Sequence, residues 1–399
     1  NMEDFLTDVP TAISRKEPLF GLDFHPKRNL IAYSSAAGTI QVQEYTPNGP
    51  NSLLMDLSHH SKSCRSVMFS PGEGAHLYSC SSDKSIVGID LETRKTVFEQ
   101  KKAHKSPINA MLLHENLIFT GDEDGVIKVW DTRKPEKVRE ISENEDYISS
   151  FVVNSDRSTL LATSGDQTLT VIDYGAGKAI DRSMEQDDEL LCASIIKGGR
   201  KVVCGGQSGL ISIFTWDQWA DRSSVCPGHL ESIDCMVPVD ENTVITGCGD
   251  GIIRIVSILP NKILGVISAQ SEELPITAMT LSHDKKYLAA CVDTSVQFWN
   301  VSMIFDDDGE NEEGVEEEDQ VVEEGAEDGV DGETGEEDEE EGEIDLEAEL
   351  TPSSESDDSD DDSDSDSSSD APVQHQFLVG KKAKVAQNKA KAASFFGDL

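Results

Sequence analysis

Apolar and polar residues alternate along most of this chain in short runs, and one of those runs keeps a fixed frame. An eight-residue unit opens on a small or acidic residue, carries an apolar residue at its fourth place and in nearly every copy at its sixth, and ends on a polar stop. Its seven copies are AGTIQVQE (37–44), DKSIVGID (83–90), DGVIKVWD (124–131), DQTLTVID (166–173), SGLISIFT (208–215), DGIIRIVS (250–257) and DTSVQFWN (293–300). Successive copies end 41 to 46 residues apart. Period-two alternation predicts strands rather than helices. Each copy is preceded by two further strand-like runs, such as INAMLLHE (108–115) then LIFTGDE (117–123), and most are followed by a fourth, such as KTVFEQ (95–100). The pattern therefore predicts a four-stranded antiparallel unit, repeated seven times.

A period of about 40 to 45 residues with a Trp-Asp-like ending is the mark of WD repeats, each giving one blade of a β-propeller. The expected fold is all-β: a seven-bladed WD-repeat propeller over residues 1–305, with an acidic, disordered C-terminal tail. The first run of each repeat is expected to line the central channel. After Asn300 only VSMIF precedes an acidic run, so the seventh blade lacks an outer strand of its own. Closing a propeller removes its sheet edges, so a segment within residues 4–14 is expected to supply that strand, and deleting residues 1–14 to open the ring.

Charge divides the chain. Of 77 acidic residues, 35 lie in residues 306–370, where there is no Lys or Arg. The propeller region holds 41 acidic and 28 basic residues. Net negative charge argues against nonspecific nucleic-acid binding, which depends on neutralising phosphates, and leaves a local basic patch open. Direct RNA contact stays undecided. No run of 18 apolar residues and no signal-peptide pattern is present, so no membrane partner is expected.

The repeats carry little reactive chemistry. The eight cysteines form no CxxC pair and mostly sit in apolar strand runs, which predicts reduced core thiols. The nine histidines are scattered without metal-ligand spacing. The glycines at 247, 249 and 251 fall in strand turns with no helix after them, so no phosphate-binding loop is expected. No cofactor, metal or catalytic residue is assigned. One repeat holds His104, Thr120, Asp124 and Trp130, expected to form a structural polar tetrad. In it Asp accepts from His, His from the Thr hydroxyl, and that hydroxyl from the indole N–H.

Several runs resemble the WD repeat-containing protein 55 family. They are ESIDCMVPV (231–239), DGIIRIVSILPNKILGVI (250–267), KSCRSVMFS (62–70), AHKSPINAMLL (103–113), EDYI (145–148) and GGRKVVCGGQSGLI (198–211). The resemblance implies a nuclear, largely nucleolar scaffold that does no chemistry and supports ribosomal RNA processing and large-subunit assembly. Its implied partners are proteins of preribosomal particles, and the chain is expected to be a monomer within larger assemblies. A second family-level feature is the WDxR box Trp130-Asp131-Thr132-Arg133. It is similar to the box by which some WD proteins dock on a cullin-RING ubiquitin-ligase adaptor, with Trp130, Asp131 and Arg133 as partner contacts. Arg133 just past the strand end suits bidentate bonding on a rim.

Residues 306–370 are too polar and too alike in charge to fold. Ser359, Ser363 and Ser367 each precede an Asp by three positions, which suits an acidophilic kinase. The stretch is expected either to solubilise the chain or to dock basic ribosomal proteins or histones, which makes a chromatin-binding propeller a third functional reading. Residues 371–399 form a Lys-rich segment ending in SFFGDL, where Phe395 and Phe396 are expected to anchor a partner.

Overall fold

The structure, a computed structural model, describes residues 5–134, 137–269 and 274–305. The described residues form seven four-stranded antiparallel sheets, and the chain is a seven-bladed β-propeller. Blade three shows the order: Ile108–His114 innermost, then Leu117–Asp122, Ile127–Asp131 and Lys137–Ile141 at the rim. The octapeptide supplies the third strand of every blade, as in Ile86–Asp90 of blade two and Ile252–Ser257 of blade six.

Burial follows position in the blade. The second strands Leu30–Ser35, Thr159–Ser164, Thr243–Cys248 and Tyr287–Val292 are buried at every residue, because neighbouring blades cover both of their faces. Outer strands are wetter: Phe98 alone is buried in Thr96–Gln100, and Met55 alone in Ser52–Leu57. Each inner strand also carries a register shift just after its first paired residue, at Leu19/Gly21, Cys64/Ser66, Ile108/Ala110 and the corresponding places in the other four. A bulge of this kind re-aims one side chain. Here the bulged residues of blades one and two, Phe20 and Arg65, meet across the blades, with the Arg65 guanidinium 4.9 Å from the Phe20 ring.

The seventh sheet is completed from the N-terminus. Ile13–Ser14 pairs antiparallel with Ser295–Asn300, with Ile13 opposite Val296 and Ser14 opposite Ser295. Arg15 N–H extends the pairing to the Thr294 carbonyl at 2.8 Å. Ile13 is buried in a cluster that joins blades seven and one through Leu19, Phe24, Tyr33, Tyr287 and Phe298. Tyr45 lies edge-on to Phe24 in the same cluster, with ring centroids 5.3 Å apart, a favoured aromatic geometry.

Two local features explain residue choices. Gly125 has φ +76°, and a Cβ there would stand 2.5 Å from the Asn144 carbonyl oxygen, so both backbone conformation and space favour glycine in this turn. The eight cysteines are free thiols, seven of them buried and Cys235 half-buried. Cys192 and Cys235 each donate to the first carbonyl of the next inner strand, Ile233 at 3.4 Å and Ile276 at 3.5 Å. Among the described residues no group of three or more His, Cys, Asp or Glu could hold a metal, and no helix is long and apolar enough to cross a membrane.

Candidate interaction surfaces

The densest polar cluster of the interior is in blade three. Thr120 and Asp122 are two apart on the second strand, so their side chains share a face. Trp130, opposite Ile118 on the third strand, comes in diagonally. His104 enters from the connector between blades two and three. Its Nδ1 donates to Asp122 Oδ2 at 2.8 Å, and its Nε2 accepts from the Thr120 hydroxyl at 2.7 Å. The indole Nε1 of Trp130 donates to the same hydroxyl at 2.9 Å. Every polar atom of the relay is paired, which burial demands. Burial lowers the His104 pKa, with Asp122 opposing the shift.

The acid of this relay is Asp122, which corrects the expectation of Asp124. Asp124 is exposed and accepts from the Ser106 hydroxyl. Asp122 also accepts the backbone N–H groups of Asp124 and Val126 at 3.1 and 2.8 Å, fixing the turn. Other blades explain the misassignment, because there the acid at the head of the octapeptide is the one engaged. Asp83 lies 3.3 Å from His60 Nδ1 in blade two, and Asp166 accepts from Asn144 at 3.1 Å in blade four. The Asp122 position, paired with the first residue of the inner strand, holds Ser81, Ser164, Gly206 and Cys248 in blades two, four, five and six. A Gly-Asp step at a strand end was the only signal.

The WDxR residues are not one contact surface. Trp130 is 3% exposed, with its N–H used inside the blade, so it is a core residue rather than a partner contact. Asp131 is also buried and is held from outside by Arg133, whose Nε and Nη2 meet its two carboxylate oxygens at 2.9 and 2.8 Å. Those bonds from Arg133 hold the Asp131 carboxyl at a pKa of about 2. Only Arg133 presents itself outward, with 66% of its side chain exposed. It borders a cavity of about 390 Å³ between blades two and three, lined also by Pro71, His76, Tyr78, Val97 and Leu113. A matching cavity of about 380 Å³ lies between blades five and six, beside Ile195, Pro238 and Glu241.

Comparison with known proteins decides the family. The WDR55 family model matches residues 10–304. The chain is 37% identical over 302 residues to WD repeat-containing protein 55 of Bos taurus, covering 75% of this chain and 78% of that protein. It is 36% identical over 293 residues to the protein of that name in Arabidopsis thaliana, covering 72% and 81%, and 35% identical over 302 residues to that of Homo sapiens, covering 75% and 78%. The chain belongs to the WD repeat-containing protein 55 family. The family match takes in the closing strand Ile13–Ser14 and ends before the acidic stretch. Ser359, Ser363, Ser367, Phe395 and Phe396 lie outside the described residues.

Proposed function

We propose that this propeller is a non-enzymatic scaffold that gathers protein partners during ribosome assembly in the nucleolus, supporting ribosomal RNA processing and large-subunit production. Membership of the WD repeat-containing protein 55 family is the observation that carries this reading. The geometry supports the scaffold half of it. His104, Asp122 and Thr120 look like a catalytic set by composition, but their reactive atoms are turned inward onto one another and onto Trp130. The nucleolar and ribosomal half rests on the family resemblance. A second reading, substrate recruitment to a cullin-RING ubiquitin ligase, is favoured by the exposed Arg133 beside its cavity.

Affinity purification of the tagged full chain beside Arg133→Ala, with proteins and RNA identified, separates the two. Recovery of large-subunit precursors and pre-ribosomal RNA, unchanged by Arg133→Ala, is the expected result. Recovery of a ligase adaptor instead, lost on Arg133→Ala in a protein that still melts normally, would replace the scaffold reading with the second one.

A further inference from the structure

The connectors that lead from each blade's outer strand to the next inner strand all open on one face, because every inner strand starts there. Their charges are sorted. The three connectors at residues 15–18, 58–63 and 101–107 carry six cations, Arg15, Lys16, Lys62, Lys101, Lys102 and Lys105, against one acid, Glu17. The next three, at residues 142–147, 183–189 and 227–232, carry eight acids and no Lys or Arg. The turns between second and third strands open on the same face and add Lys84 but also Asp83, Glu123 and Asp124 to the first group, which stays net positive with seven cations against four acids. It is a basic sector within a propeller whose net charge is negative, and the second group is an acidic one.

Arg65 marks the centre of the basic sector. It is the bulged residue at the start of blade two's inner strand, half-buried and two residues past the connector 58–63. Its guanidinium lies 4.9 Å above the ring of Phe20, and its Nε donates to Ser82 Oγ at 3.1 Å. Stacking and that bond fix the group, while both terminal nitrogens are without a partner among the described residues. Lys101 meets Glu99 at 3.6 Å, whereas Lys16, Lys62 and Lys105 are exposed and have no carboxylate partner among the described residues. Cations left unpaired beside a preoriented guanidinium match an anionic ligand of carboxylate or phosphate type.

We propose that this basic sector docks a short acidic or phosphoserine-bearing stretch of a protein partner, seated on Arg65. The acidic sector sets the length. A polyanion that continues past the sector, such as RNA, runs over eight like charges, and like-charge juxtaposition is strongly unfavourable. A peptide whose negative charge ends within the sector meets no such barrier. The inference needs only that the propeller binds partners, so its failure leaves the ribosomal reading standing.

The test is fluorescence anisotropy on the full chain with three labelled probes: a glutamate-rich peptide, the same peptide with phosphoserines in place of glutamates, and a single-stranded RNA long enough to cross the face. The expected result is salt-sensitive binding of one or both peptides, the tighter arm naming the source of the anion, with RNA weaker than either. Lys62→Glu with Lys105→Glu should weaken peptide binding about tenfold or more. Arg65→Lys should weaken it in a protein that still unfolds cooperatively, since lysine keeps the charge and loses the fork. Glu143→Lys with Glu145→Lys should leave the peptides bound and tighten RNA. Peptide binding unaffected by the Lys62/Lys105 reversal, or RNA binding tighter than both peptides in the unaltered protein, would overturn the proposal.

Discussion

Blades three and six are built on one template down to register, and they treat its polar interior differently. Ile108 pairs with Asp122 in one, and Ile233 with Cys248 in the other; Thr120 and Thr246 occupy one site, and Trp130 and Val256 another. Both blades receive a histidine four residues before the inner strand. In blade three both imidazole nitrogens are bonded. In blade six His229 Nε2 meets the Thr246 hydroxyl at 3.0 Å, and among the described residues Nδ1 has no partner of good hydrogen-bond geometry, with the Gly209 backbone as its polar neighbour. Blade six puts its charge elsewhere, in a buried pair where Arg254 meets Asp250 with both terminal nitrogens, at 3.1 and 2.7 Å. The backbone of a blade therefore does not need the relay. Alternation and burial make the sheet, and the polar groups then have only to be satisfied, by whichever partners each repeat holds.

That account can be broken most forcefully at the third strands. Trp130→Ala removes a buried indole and leaves a cavity, and should cost about 3–5 kcal/mol. Val256→Ala at the matching site should cost about 2 kcal/mol. Chemical denaturation checks both, and equal losses would show that the indole is not the relay's anchor. The histidines come next. His104→Ala strands the buried Asp122 carboxylate and should cost about 2–3 kcal/mol, whereas His229→Ala gives up one bond and an already poorly paired nitrogen, about 1 kcal/mol.

Acid sharpens the contrast further. Burial lowers the pKa of His229 to about 4, below the 6.5 of a free imidazole, as it does for His25 and His59. A histidine whose folded pKa is depressed favours the folded state fully above pH 6.5 and loses that contribution as pH falls toward 4, since the unfolded chain binds the proton first. Asp23 works in the opposite direction. Burial raises its pKa to about 7, so its contribution is complete below 3.8 and fades as pH rises through 7. With His60 and His104 lowered by burial as well, five histidines stand against one carboxylate, and the melting temperature should drop between pH 6.5 and 4. His229→Gln should make that drop shallower. A small effect is expected of Arg133→Ala, which removes a solvent-screened fork from the Asp131 carboxyl and should lower the melting temperature only slightly.

The repeat count and the seven sheets were legible because the octapeptide fixes one strand per blade, and alternation around it fixes the rest. Residue roles within the blade were harder. Asp122 and Asp124 are two apart on the same side of a turn, and three other blades use or retain an acid at the second position, so the pattern pointed to Asp124. Trp130 read as both a relay member and a partner contact, but a side chain bonded in the core cannot also present itself at the rim. The sorted charges of the connectors were countable from the start. They carried no meaning until the sheet topology placed all the connectors on one face.

The most direct measurement is the unfolding free energy of Asp122→Ala beside Asp124→Ala. The relay described for blade three predicts a loss of about 3 kcal/mol for Asp122→Ala, which strands His104 and two backbone N–H groups, and a change within about 0.5 kcal/mol for Asp124→Ala. A loss at Asp124 equal to or larger than that at Asp122 would contradict it.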